Sequence, residues 1–266
     1  MYDFFLGGIL HPTIGELLLF LLSTSLLTLL AVTCFLHRSQ THRAVTLSAP
    51  VAHFFRLVLW LFTGMVTKEW VAVHRKHHAF TDATDDPHSP RHFGLWKVFF
   101  QGAELYRQAG KNKELLTTYG EGTPDDWIER TLYTKRPALG VTLTFAVELI
   151  LFGLPGIAIW AVQMLVIPVI AAGFINGIGH AWGVQRYKDG DIRPEGGIFE
   201  RIGDARNVPT WGLAVGEEFH NNHHAYQHRY KFSERWYEFD FGGTFLELLC
   251  LLRLARVLEN PFKKSK

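Results

Sequence analysis

Eight of the fourteen histidines in this chain fall into three short clusters: His37-Arg-Ser-Gln-Thr-His42, His74-Arg-Lys-His77-His78 and His220-Asn-Asn-His223-His224. Residues three and four apart share one face of a helix, so each HxxHH aims at least two imidazoles at a common point. A separation of five does not share an α-helical face. It suits a helix end, where the chain can turn so that His42 swings back beside His37. A ninth histidine, His180, ends an apolar run in Asn176-Gly-Ile-Gly-His180, with Asn176 one turn earlier on the same face. A lone histidine at the end of an apolar helix is ordinarily an interfacial residue, but two HxxHH and one HxxxxH in one chain point to metal ligation. One zinc takes four ligands, so eight or nine convergent imidazoles imply two metal ions. Imidazole suits zinc, copper, nickel and iron alike, and ligand type alone does not name the metal. Cys34 and Cys250 are isolated, and no repeated Glu-x-x-His is present. A thiolate zinc site and a carboxylate-bridged di-metal bundle are therefore not indicated.

The elements that must position these histidines are apolar. All 27 Lys and Arg lie in two blocks, Arg38–Arg136 and Arg186–Lys266, and the stretches without them are the most apolar of the chain. About 20 apolar residues cross a bilayer core. Spans are expected at about 14–36, 138–153 and 157–179, the last two forming a hairpin broken at Leu154-Pro155-Gly156. Val51–Val66 is also apolar but carries His53 and Arg56. If it crossed, His37 and His42 would face the opposite side from His74, His77 and His78, roughly 30 Å away, and could not share a site with them. It is expected to be re-entrant or interfacial. Residues of about 37–137 and 180–266 then form a helical cap on the Lys/Arg-rich, cytosolic side, and the whole is one all-α membrane domain. A net charge of +2 and no basic patch interleaved with aromatics exclude a nucleic-acid partner. The N-terminus lacks a basic n-region and a small-residue cleavage site, so its apolar run is expected to be kept.

His-Arg-Ser-Gln-Thr-His, His-Arg-Lys-His-His, Asn-Gly-Ile-Gly-His and Gly-Glu-Glu-Phe-His-Asn-Asn-His-His, in that order, resemble the histidine boxes of the membrane fatty acid desaturases. Glu69-Trp70, Asp86-Pro87-His88 and Trp236-Tyr-Glu-Phe-Asp240 resemble the bacterial and acyl-CoA delta-9 members more specifically. The resemblance implies a mushroom-shaped helical membrane protein with two ferrous ions. Their ligands would be His37, His42, His74, His77, His78, His180, His220, His223 and His224, with Asn176 acting through a water. It also implies that Leu29 and Ser25 approach the closed end of an acyl tunnel and that Trp70 lies near its bend. Two departures stand out: only 36 residues precede the first box, room for one span rather than two, and Glu218 replaces a glycine of the third box.

An unactivated methylene has no acidic proton, so side-chain acid–base chemistry cannot remove its hydrogens. By resemblance, two irons, dioxygen and two electrons supply the oxidant, leaving a cis alkene and water, while the protein ligates and positions. Glu69, Asp86, Glu217 and Asp240 are the carboxylates placed to accept from outer imidazole N–H groups. His11, His53, His88, His92 and His228 fall outside the ligand set. The expected substrate is a long acyl chain carried on CoA, acyl-carrier protein or phospholipid. The expected donor is a separate ferredoxin, cytochrome or reductase, and the expected location is a bacterial inner membrane with the site on the cytosolic face. A hydroxylase with the same metal core is the alternative enzyme. A metal transporter would instead place ionisable ligands along its spans, where Glu148 stands almost alone.

Overall fold

The computed structural model describes residues 2–190, 201–210 and 212–258; the end of the expected cap, 259–266, lies outside the described residues, as do 191–200 and 211. A short helix α1 (Tyr2–Gly7) precedes the long apolar helix α2 (Ile14–Leu30). Thr13 starts α2: its hydroxyl accepts from the Glu16 backbone N–H, and the Glu16 carboxylate accepts from the Thr13 N–H at 2.8 Å, a reciprocal cap. The helix runs on without a break as a π-helical stretch, Ala31–Thr41, giving one apolar element of 28 residues. In that stretch hydrogen bonds reach five residues back, as from the His42 N–H to the His37 carbonyl at 3.1 Å. The five-residue spacing of His37 and His42 therefore does share a face. No turn at a helix end is needed, and the expectation of one is corrected by the wider winding.

Next come α3 (Ala49–Phe62) and α4 (Thr67–Phe80), bent 93° from each other at Thr63–Val66. The rings of His42 and His78, at the two sides of this excursion, lie 4.5 Å apart. The chain thus leaves the histidine level and returns to it through this bent pair. Arg56, the buried cation of α3, is held by Glu129 at 2.8 Å and Asp126 at 2.5 Å. Helices α5 (Pro90–Phe93), α6 (Leu95–Ala109) and α7 (Lys113–Tyr119) follow on the cap side.

The hairpin is α8 (Pro137–Phe152) and α9 (Leu154–Ile167). The break falls at Gly153, whose φ of 68° suits glycine, and Pro155 belongs to the first turn of α9, where its missing N–H costs nothing. The chain turns two residues earlier than the proline suggested. Helix α9 also widens into a π-helical stretch, Pro168–Gly177, and closes in one 3₁₀ turn, Ile178–His180. Two helices, Ile14–Thr41 and Leu154–His180, are long and apolar enough to cross a membrane; α8 is apolar but shorter. Where α3 meets α8, Gly140 permits close approach, since a Cβ there would sit 2.3 Å from the Trp60 carbonyl oxygen.

The third box forms α10 (His220–Ala225), and α11 (Phe241–Leu251) follows. The chain is a helical membrane protein, with one small exception among the described residues: β1 (Val45–Leu47) pairs antiparallel with β2 (Ala255–Val257). Three-residue strands are too short to leave an alternating pattern.

A buried ion pair locks the first span to the cap. Arg38 reaches Asp240 at 2.9 and 3.0 Å, both side chains 0 % exposed, and its guanidinium lies 3.8 Å over the Phe232 ring. The same carboxylate accepts from the Gly243 N–H, starting α11, and from the Phe232 N–H, each at 2.7 Å. Asp240→Ala should therefore cost about 3–5 kcal/mol by stranding a buried guanidinium. Thermal unfolding in detergent reads this, with Glu104→Ala, at an exposed pair with Arg107, as a control that leaves the midpoint unmoved.

Candidate metal centre

The nine boxed histidines, drawn from four chain segments, come together in two buried groups. His37, His42, His74, His78 and His223 form one, and His77, His180, His220 and His224 the other; within each, one nitrogen per ring lies within 4.8 Å of all the rest. On α4 the i, i+3, i+4 spacing sends His74 and His78 to the first group and His77 to the second. On α10 the same spacing sends His220 and His224 one way and His223 the other. Each HxxHH therefore serves both groups.

The inner nitrogens are the Nε2 atoms. His37 and His223 approach to 2.9 Å, His74 and His78 to 3.1 Å, His78 and His223 to 3.2 Å, His180 and His220 to 2.8 Å, and His77 and His224 to 3.4 Å. The outer Nδ1 atoms explain this orientation. His37 Nδ1 meets Glu217 at 2.6 Å, His77 Nδ1 meets Asp86 at 2.8 Å, His180 Nδ1 meets Asp82 at 2.9 Å, and His74 Nδ1 meets the Tyr106 hydroxyl at 3.0 Å. An Nδ1–H that donates to a carboxylate leaves a lone pair on Nε2, so the inner atoms turn lone pairs toward one another. Ligands about 2.0–2.1 Å from a common ion lie roughly 3 Å apart, which the observed separations match. Ring nitrogens gathered about a common point, and outer partners that fix the rings, are what a metal ion requires. His42 Nε2, buried and without a hydrogen-bond partner among the described residues, fits the same reading.

The electrostatics agree. Burial and the neighbouring imidazoles hold His220, His223 and His224 well below the usual histidine range, hence neutral. Burial alone would raise Asp82, Asp86 and Glu217, but their histidine partners outweigh it and hold all three below the ordinary carboxylate range.

Of the four carboxylates singled out in the sequence, Asp86 and Glu217 touch histidine rings. Two do not. Asp240 is taken by Arg38 and acts on the site only through that pair, and Glu69 lines a cavity beside the centre. Asp82 and Tyr106 were missed. Asp82 sits in Asp82-Ala-Thr-Asp85-Asp86, where three aspartates compete and spacing does not choose. What selects it is a positive φ of 57°, tolerated by aspartate, which turns its carboxylate back toward His180. Glu218, the replacement in the third box, staples its own loop by accepting from the Gly212 and Gly216 N–H groups at 2.8 and 2.7 Å. His88 is buried, stacked on His77 at 4.3 Å and on Tyr106 at 4.8 Å.

A cavity of about 320 Å³ adjoins both groups, lined by His37 and His74 of the first and His220 of the second. Asn176 and Tyr106 line it too. Trp70, stacked on His74 at 4.8 Å, forms part of the cavity wall. Ser25 and Leu29 do not: Leu29 packs into the hydrophobic core, and Val32 is the residue of that helix that lines the cavity with His37. Steps of four back from His37 reach Leu29 and Ser25, whereas the wider winding of Ala31–Thr41 brings Val32, five residues back, to the cavity beside His37.

Asp82→Asn and Asp86→Asn should each lower metal affinity about 10–100-fold. Metal retained against graded chelator measures this. His53→Phe, at a ring that neighbours Tyr133 and not the histidine groups, should retain the wild-type metal content.

The chain matches the fatty acid desaturase family over residues 16–240. Among curated proteins, it is 27% identical over 245 residues to delta-9 acyl-lipid desaturase 1 of Arabidopsis thaliana, covering 89% of this chain and 73% of that one. It is 28% identical over 242 residues to the sn-1 stearoyl-lipid 9-desaturase of Synechocystis, covering 87% and 68%. It is 26% identical over 241 residues to the acyl-CoA C20 delta5-desaturase of Anemone leveillei, covering 86% and 69%. The family match reaches from the first turn of α2 to the aspartate that starts α11, spanning both histidine groups, and this chain belongs to the fatty acid desaturase family, as an oxidoreductase of the desaturase type.

Proposed function

We propose that this protein inserts a cis double bond at the ninth carbon from the carboxyl end of a long saturated acyl chain. Two ferrous ions would be held, one by His37, His42, His74, His78 and His223, the other by His77, His180, His220 and His224, with Asn176 acting through a water. When bound, the ions would activate dioxygen, with two electrons from a donor, as the oxidant of an unactivated methylene. The chain's own residues do the rest. Glu217, Asp86, Asp82 and Tyr106 fix the imidazoles, Trp70 walls the channel, and the surrounding aliphatic side chains exclude water from the reacting carbons.

The observation that carries this reading is the shared cavity. It touches both histidine groups and continues between apolar helices past Val32, Ile167, Ala171 and Ile175, a shape for an alkyl chain rather than for a hydrated ion. Two of the relatives are named as 9-desaturases, which supports the position. The acyl carrier is CoA, acyl-carrier protein or phospholipid, and the electron donor a separate ferredoxin, cytochrome or reductase. The membrane would be a bacterial inner membrane, and the Lys and Arg distribution supports the side, with the histidines facing the cytosol.

Expression in cells that lack the activity, followed by chromatography and mass spectrometry of their acyl chains, tests the reaction. A cis alkene at carbon nine is expected, and its loss in each of the nine His→Ala variants. An alcohol would replace the desaturase reading with a hydroxylase, and a bond at another carbon would overturn the position. Tags at residues 1 and 266 should report opposite sides of the membrane; the same side for both would break the proposed topology.

A further inference from the structure

We propose that Gln163 forms the floor of the acyl channel and so sets the longest chain the protein accepts. The inference rests on the cavity being the acyl site. Its two ends are unlike. At one end stand Glu69, partly exposed, and Arg107, whose side chain is 59 % exposed, so that end meets water and suits a carboxyl head. At the other, α9 contributes Met164 and Gln163, the latter only 4 % exposed. Gln163 lies thirteen residues back from Asn176 along the last span, at most roughly 20 Å at the α-helical ~1.5 Å per residue and less where the helix widens. The wall used by the channel is therefore the last span, α9 and its π-helical continuation, which supplies eight lining residues from Gln163 to Asn176, whereas the first span supplies only Val32 and His37.

The floor is polar and held in place. Gln163 Nε2 donates to the Thr24 hydroxyl at 2.9 Å, and that hydroxyl donates to the Phe20 carbonyl at 2.8 Å. Behind it, on α8, is the Glu148 carboxyl, 1 % exposed and in reach of Gln163. An alkyl end offers neither donor nor acceptor. To pass, it would have to separate the buried Gln163 amide from Thr24 and leave its N–H without that partner. The methyl end of the acyl chain stops where this group begins, and depth is then fixed by the length of one side chain.

Two experiments test the floor. In the first, acyl profiles of cells expressing Gln163→Ala should extend to chains about two methylenes longer, the room its truncation opens. Ile167→Phe, one turn nearer the histidines, should shift them shorter. In both the double bond stays at the wild-type distance from the carboxyl end. Gln163→Asn keeps the amide, shortens it by one carbon and is read in the same way should the alanine variant fail to accumulate. An unchanged profile in an active Gln163 variant overturns the proposal, whereas a wild-type protein that makes no alkene overturns the proposed reaction. The second experiment does not depend on turnover. A stearoyl chain carrying a diazirine at its methyl end should label the floor, at Gln163, Met164 or Thr24, as located by peptide mass spectrometry. Labelling of α2 at Ser25 or Leu29 instead would place the closed end elsewhere.

Discussion

Nine buried imidazoles crowded into two groups are an unfavourable assembly without a cation among them, and the rest of the structure follows from holding them there. Burying a polar nitrogen without a partner costs about 2–7 kcal/mol. Rings free to rotate would turn those nitrogens outward. The outer shell prevents this: Glu217, Asp86, Asp82 and Tyr106 each take an Nδ1, and Arg38 with Asp240 pins the segment that carries His37. These groups come from parts of the chain far apart in sequence. The charges that orient the centre are therefore also the ties that hold the cap to the first span.

The membrane part serves the same end by a different route. Its helices hold no ligand in mid-span but deliver histidines at their ends, from Ile14–Thr41 and from Leu154–His180. The elbow between α3 and α4 lets the chain dip and come back without separating the first box from the second. Apolar walls below and imidazoles above then meet in one cavity, so an alkyl chain lying in the lower part has its upper carbons beside the nitrogens.

Much of this was legible in the sequence. Cluster spacing picked out eight of the nine gathered histidines, and His180 entered with the family resemblance. What escaped were features set by backbone winding and by competition among like residues. Nothing in Ala31–Thr41 announces a π-helix, so His42 was assigned to a turn and the cavity wall to Ser25 and Leu29 instead of Val32. Among three crowded aspartates composition could not pick Asp82, and Asp240, close to a histidine box in motif, was claimed by an arginine that lies far away in sequence. Pro155 marked the hairpin well enough, although the turn itself belongs to Gly153.

The two long spans change their winding just before they reach the histidines, at Ala31 and at Pro168. A wider coil acts as a phase shifter: side chains below and above it no longer follow one angular sequence. The lipid-facing stripe of each span can thus drift in composition without constraining where its terminal histidine points. The count of residues inside the coil has no such latitude, because losing one would swing His42 by about 100°, a full α-helical step, out of its group. Length, more than chemistry, is what inheritance must preserve between these two histidines.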